Sequence, residues 1–153
     1  MIIENYRKVI MKINIRKAVK DDCQSMMQLI KELAVYEKAP EEVTVSFDHF
    51  VESGFGERPV WWAFVAEVDE KVVGFALYYI RYSTWKGQRL YLEDILVNEP
   101  YRGNGIGKLL FDRLLEEVKE KNSPGWFGRY WIGTNPPLIF TKNILVSILI
   151  ANG

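Results

Sequence analysis

The chain has 153 residues, 48% apolar and 26% charged, a balance that suits one soluble globular domain with a single core of ordinary size. Twenty basic against twenty acidic residues leave no net charge, which argues against a nucleic-acid or membrane-surface binder that relies on a strong positive field and favours a small-molecule partner. The single cysteine, Cys23, cannot close an internal disulfide; on the apolar face of a predicted helix it suits a reduced cytoplasmic protein and is read as a small hydrophobe rather than a nucleophile.

Residues 1–11 contain neither the apolar core nor the cleavage site of a signal peptide and are read as an N-terminal extension, with Met11 a candidate start for a domain over 12–122. No apolar run reaches the roughly 20 residues a membrane span needs, so no membrane role is expected. Ile13 and Ile15 alternate with polar neighbours as in a half-buried strand. Asp21 and Asp22 are placed to cap a helix whose apolar positions Cys23, Met26, Met27, Ile30, Leu33 and Ala34 follow the helical period, and which ends before Pro40. Ser46 caps a second short helix with Phe47, Phe50 and Val51 inward, closed by Gly54. After the turn-rich GFGERP come two strands, 60–68 and 71–80, joined by a short turn that suits an antiparallel hairpin. The polar STWKGQ precedes a third strand over 89–97, and NEPYRGNGIG leads into a long helix with Ile106, Leu109, Leu110, Leu114, Leu115 and Val118 apolar. Strands mixed with helices that flank one sheet predict an α/β (α+β) sandwich. The aromatics Trp61, Trp62, Tyr78, Tyr79 and Tyr82 are read as core and sheet-face packing.

The chemistry concentrates in RLYLEDILVNEPYRGNGIGKLL, residues 89–110. A strand runs through a turn into Gly103, Gly105 and Gly107, which open a helix. Glycines permit positive φ and close backbone approach, so successive N–H groups converge on one anion beside the positive end of the helix; a phosphate or pyrophosphate is the expected guest. Lys108 stands where a dinucleotide fingerprint needs another glycine, and no Gly-Lys-Ser/Thr of a Walker loop is present. The glycines alone are equally consistent with a tight turn. Glu93 is a polar residue in an apolar strand, costly to bury unless paired, and therefore a functional candidate. Asp94 alternates to the other side of the strand unless a bulge intervenes.

Arg102-x-x-Gly105-x-Gly107 after an apolar strand resembles the coenzyme A pyrophosphate loop of the GNAT superfamily of N-acetyltransferases. LIKELAVYE (29–37), ESGFGERP (52–59), VVGFALYY (72–79) and LYLEDILV (90–97) resemble, in order and spacing, stretches of the diamine acetyltransferases, the spermidine/spermine and thialysine group. The likeness covers about residues 12–121 and implies the acyl-CoA N-acyltransferase fold, a mixed and mostly antiparallel sheet flanked by helices. It also implies acetyl-CoA as the acetyl donor, no metal, a small-molecule amine as acceptor and a cytoplasmic homodimer. By the same resemblance the backbone of Ile95, Leu96 and Val97 pairs with the pantetheine arm, and Arg102, Gly103, Asn104, Gly105, Ile106, Gly107 and Lys108 hold the pyrophosphate. Glu93 matches the carboxylate that takes a proton from the attacking amine, which a nucleophile of pKa about 10 requires. Tyr36, Glu37, Trp85 and Asp94 join Glu93 at the acceptor end. Ser83 stands where the polyamine enzymes carry an acid, which leaves shorter diamines and thialysine-like amino acids open as acceptors. Two other readings stay open: a coenzyme A binder with impaired turnover, and an acetyltransferase acting on proteins or peptides.

All twenty Asp and Glu lie at or before Glu120, and residues 123–153 match nothing in the family's ending. Read one base earlier, with each new codon taken from the last base of one codon and the first two of the next, Trp126-Phe127, Tyr130-Trp131 and Trp131-Ile132 are forced to Val, Leu and Asp. Phe127-Gly128 and Asn152-Gly153 allow only Trp or Arg, and Phe140-Thr141 only Tyr or His. All fit an ending like that of the family, including an N-F-Y whose tyrosine matches its general acid; neither Tyr130 nor Phe140 is claimed as a replacement. The tail over 123–153 is therefore expected to be the product of a one-base shift near the codons for residues 121–123. The β-prone 127–133 is a candidate for the sheet edge, and the apolar 138–150 for a strand docked on a neighbouring chain.

Overall fold

The structure, a computed structural model, describes residues 11–85, 87–121 and 133–134. Five strands, β1 (Ile13–Lys17), β2 (Trp62–Val68), β3 (Lys71–Ser83), β4 (Gly87–Val97) and β5 (Gly133–Thr134), lie side by side in chain order. All pairs are antiparallel except β4–β5, where Tyr91 and Leu92 face Gly133 and Thr134 in parallel register. Three α-helices complete the described chain: α1 (Cys23–Tyr36), α2 (Phe47–Phe55) and α3 (Ile106–Lys121).

Strand alternation divides the core. Phe64, Val73, Tyr78 and Leu92 turn to the face covered by α3 through Ile106, Leu110 and Leu114. Val65, Phe75, Leu77 and Leu96 turn to the face covered by α1 and α2, where Cys23, Met26 and Phe50 meet them. Cys23 is buried and its thiol is pushed up, first by burial, as the reading of a small hydrophobe requires. Of the apolar positions predicted on α3, Leu109 and Leu115 lie at the edge of the buried stripe and stay exposed.

Several boundaries differ from expectation for local reasons. β2 begins at Trp62 because the Val60 N–H is taken by the Ser53 carbonyl (2.7 Å) and the Trp61 indole donates to the Phe50 carbonyl (3.2 Å) while stacking on the Phe50 ring. Gly54 does not close α2; it lies inside the helix because the Trp61 indole fills the space a Cβ would take. Ser46 caps α2 as expected, its Oγ accepting the His49 N–H. Asp22 does not cap α1 with its side chain. Its carboxylate accepts the Val19 N–H and both terminal nitrogens of Arg16, at 2.7 and 3.0 Å, and Arg16 also reaches Glu67 at 2.8 Å. That clamp fastens β1, the entry to α1 and β2 together. β3 and β4 extend past the predicted break to pair Ser83 with Gly87, with a turn at Thr84 and Trp85. The other hairpin turns at Asp69 and Glu70, both at positive φ, the conformation a two-residue connection demands.

Of the aromatics assigned to packing, Trp61 and Tyr78 are buried, whereas Trp62 and Tyr82 are exposed. Tyr78 donates to the buried Glu117 carboxylate at 3.3 Å, and burial together with that carboxylate raises the phenol far above its ordinary value. Arg113 and Lys17 stand 3.7 and 4.0 Å from the same carboxylate, which keeps its charge compensated under α3.

Candidate active site

The ladder between β3 and β4 carries one irregularity. Leu77 opposes Asp94 but Tyr78 opposes Leu92, so Glu93 is the extra residue of a β-bulge. Leu92 and Ile95 both belong to the α3-side core, three residues apart. Glu93 and Asp94 between them therefore both turn to the opposite face, against the alternation expected without a bulge. The condition that would bring the two carboxylates together is met.

Asp94 is held up to about 6 by burial, then by the negative charge of Glu93 and of Glu37. Burial also raises Glu93. Glu37 stands at the end of α1, where its N–H bonds back to Leu33 and Lys38 turns the chain at positive φ. Three carboxylates from two elements thus share one field, one that attracts positive charge and contains groups of raised proton affinity. Burial, followed by the charges of Glu93 and Tyr91, likewise raises the Tyr79 phenol, while Arg81 opposes the rise. The rings of Tyr79 and Tyr91 lie 5.2 Å apart, and the Arg81 guanidinium rests 5.3 Å over Tyr91. None of these three residues stood among the predicted site residues. Their signal was present in part: Tyr91 and Glu93 are two apart and share a face by alternation, and Tyr79 and Arg81 join them once the β3–β4 register sets Tyr79 opposite Tyr91.

Beyond Leu92 no described strand pairs with the outer edge of β4. The Asn98 N–H bonds to the Val73 carbonyl at 2.7 Å. By the alternation of an antiparallel ladder, Leu96 therefore directs its N–H and C=O to β3, while Ile95 and Val97 direct theirs to the open edge. Of the expected trio, Ile95 and Val97 thus turn their backbone groups to the open edge, and Leu96 turns its own to β3. Arg102 pins the end of β4, its Nε donating to the Val97 carbonyl at 2.9 Å.

The glycine loop follows at once. Gly103 and Gly105 have φ of 81° and 77°, and no atom lies within 4 Å of where a Cβ would stand, so backbone conformation rather than crowding calls for glycine at both. Asn104 braces the loop by donating to the Tyr101 carbonyl at 2.9 Å. Ile106 is buried as the anchor of α3, and Lys108 pairs with Asp112 along the helix at 2.6 Å. Gly107 is in the first turn, so the loop, the helix N-terminus and the open edge of β4 are contiguous. Asn98 ties this end to α1 by donating to Glu32 at 3.0 Å. Tyr36 and Trp85 are exposed, Trp85 91% so at the β3–β4 turn with its N–H on the Ser83 Oγ. Neither is fixed by packing against the carboxylates. Among the described residues no cluster of three or more metal-binding side chains occurs, and no helix is long and apolar enough to cross a membrane.

The described arrangement has close counterparts among known proteins. Residues 23–136 match the model of the acetyltransferase (GNAT) family. Thialysine N-epsilon-acetyltransferase of Bos taurus is 43% identical over 115 residues, which is 70% of this chain and 68% of that protein. Spermidine/spermine N(1)-acetyltransferase-like protein 1 of Homo sapiens is 38% identical over 107 residues, 65% of this chain and 15% of that one. Among solved structures, an aminoglycoside acetyltransferase from an uncultured soil metagenomic sample, in complex with sisomicin, superposes with a TM-score of 0.66 at 17% identity, covering 91% of this chain and 86% of its own. An aminoglycoside N-acetyltransferase in complex with CoA gives 0.65 at 20% identity over 94% and 88%. The chain belongs to the GNAT family of acetyltransferases.

Proposed function

We propose that this chain moves the acetyl group of acetyl-CoA to a primary amine of a small diamine or amino-acid-like acceptor, with Glu93 as the base. The observation that carries the reading is the bulge at Glu93. It gathers Glu93 and Asp94 on the face shared with Glu37, directly beside the open edge of β4 and upstream of the glycine loop. The 43% identity to a thialysine acetyltransferase supports the acceptor class.

The residues present fit the coenzyme. The positive-φ glycines Gly103 and Gly105 leave open space above the start of α3, where backbone N–H groups from Gly103 to Lys108 would hold a pyrophosphate. Ile95 and Val97 would pair with the pantetheine arm. Acetyl-CoA, when bound, supplies a thioester carbonyl that a neutral amine attacks. Glu37 and Asp94 draw the acceptor's ammonium to the site by charge, and Glu93 removes its proton. Raised proton affinity, caused by burial, suits Glu93 to that task, because it takes the proton of an amine better than an ordinary carboxylate does.

We also propose that residues 123–153 follow from a one-base shift. The forced codon readings support it, and Gly133 and Thr134 nevertheless extend the sheet beside Tyr91 and Leu92. The rest of the predicted edge segment, and the apolar 138–150, lie outside the described residues. Sequencing of source DNA across the codons for Glu120 to Lys142 tests this: an unshifted genome supports it, and a genome that encodes this tail in frame without a relict downstream reading overturns it. The function itself is tested by thiol release from acetyl-CoA with thialysine, short diamines and lysine-containing peptides as acceptors. Release with the small amines supports the reading; release with peptides alone replaces it.

A further inference from the structure

Arg81 is a cation on the sheet face of Tyr79 and Glu93, set apart from the carboxylates along the strand. It shares the strand face of Tyr79, lies over the Tyr91 ring at 5.3 Å, and is exposed. Among the described residues no carboxylate lies within ion-pair distance of it. An arginine held by a π face keeps its planar fork of N–H donors available, the geometry that grips a carboxylate in two parallel bonds. Its distance from the acids is set by the strand. Arg81 is three residues beyond Tyr78, the edge of the bulge, which puts it on the order of 10 Å along β3 from Glu93. Long side chains at both ends shorten that gap to about the span of an extended lysine-length amino acid.

We propose that Arg81, braced on Tyr91, binds the carboxylate of an amino-acid acceptor whose side-chain amine lies at Glu93 and Asp94, and so selects amino acids over diamines. The inference rests on the amine-acetyltransferase reading above and names its acceptor class. The charge layout discriminates in both directions. A lysine-like amino acid presents a cation to the acidic end and an anion to Arg81. The corresponding diamine brings a second ammonium toward the guanidinium, a like-charge contact that lowers its affinity.

The test compares thialysine with the diamine left when its carboxylate is removed, using the full chain and its Arg81→Gln and Arg81→Lys variants. In the unaltered chain kcat/KM is expected to favour thialysine. Arg81→Gln should cut that preference by roughly ten- to a hundredfold, the worth of a hydrogen-bonded charge pair, chiefly through the KM for thialysine. Arg81→Lys should retain part of it. Equal losses on both amines, or an unchanged preference, overturn the inference while leaving amine acetylation standing. Calorimetry with thialysine and coenzyme A supplies a readout independent of turnover. If no acetyl transfer occurs but thialysine binds and Arg81→Gln weakens it by about tenfold, the carboxylate site stands and the transferase reading fails. If thialysine does not bind, the inference falls.

Discussion

Glu93 and Asp94, consecutive in the chain, project from the same face of β4 because Glu93 is the unpaired residue opposite the Leu77–Tyr78 step. An uninterrupted strand would have sent one of them into the apolar core beneath α3. The bulge makes a site of what would otherwise be a buried charge without a partner.

Replacing Glu93 by Gln should lower kcat by about 10²- to 10⁴-fold with a much smaller change in KM, the signature of a lost general base. Because burial raises the Glu93 carboxyl, the acid limb of kcat/KM should lie above the ordinary glutamate range. Activity rises with pH through that limb as the base deprotonates, and Glu93→Gln removes the limb. A pH–rate profile of the two proteins measures it.

Asp94 predicts a stability effect of the opposite sense to most core changes. Its folded-state pKa, about 6, lies above the unfolded aspartate value near 4. The folded chain therefore holds the proton more tightly, and stability falls as pH rises from about 4 to 6. Asp94→Asn should raise the Tm at pH 7, by the equivalent of about 1 to 3 kcal/mol, and the gain should vanish below about pH 4. The same variant should weaken amine binding, so stability and affinity move in opposite directions.

The Arg16 clamp has the reverse pH sign. Burial pushes Asp22 up, but the Arg16 hydrogen bonds, the Val19 N–H and the Arg16 charge together hold it below its ordinary value. That stability is present above the unfolded aspartate value and is lost as pH falls through the lower folded one, below about pH 4. Arg16→Met should cost about 1 to 3 kcal/mol at pH 7, less than a fully buried pair because Arg16 remains partly solvated. Chemical denaturation at pH 7 and pH 3 should show the difference between the two proteins shrinking in acid.

Gly103→Ala and Gly105→Ala should each destabilise by about 1 kcal/mol through positive-φ strain alone, since a methyl group meets nothing at either position. Their larger effect should fall on coenzyme A affinity, measured by calorimetry. Gly54→Ala provides the contrast: there the Trp61 indole occupies the methyl position, so folding suffers and the coenzyme site does not.

Much of this was legible in the sequence because it is local. The Ser46 cap, the α1 period and the glycine run into α3 need only neighbouring residues to be read, and each stands where expected. The misses depend on distant partners. Asp22 has the residue type and place of a cap, but Arg16 and Glu67 on two strands claim it. Gly54 reads as a helix stop until Trp61 fills its empty side. At the site, Glu93 was identifiable as a polar residue in an apolar strand, whereas its alliance with Asp94 depends on a register slip against β3. The side-chain bond of Arg102 to the Val97 carbonyl, and the turning of the Leu96 backbone to β3, likewise depend on partners outside the loop motif. Tyr79, Tyr91 and Arg81 look like ordinary strand residues until the β3–β4 register fixes which face they share.

The proposed reaction has Glu93 deprotonating a small amine for acetylation. The most direct measurement follows N-acetyl-thialysine formation and thiol release together in mixtures of acetyl-CoA, thialysine and the full chain, with and without Glu93→Gln. Equal amounts of both products, at a rate that Glu93→Gln lowers by about a hundredfold or more, are expected. Saturable coenzyme A binding with no amine-dependent thiol release, or release that Glu93→Gln leaves unchanged, would contradict it.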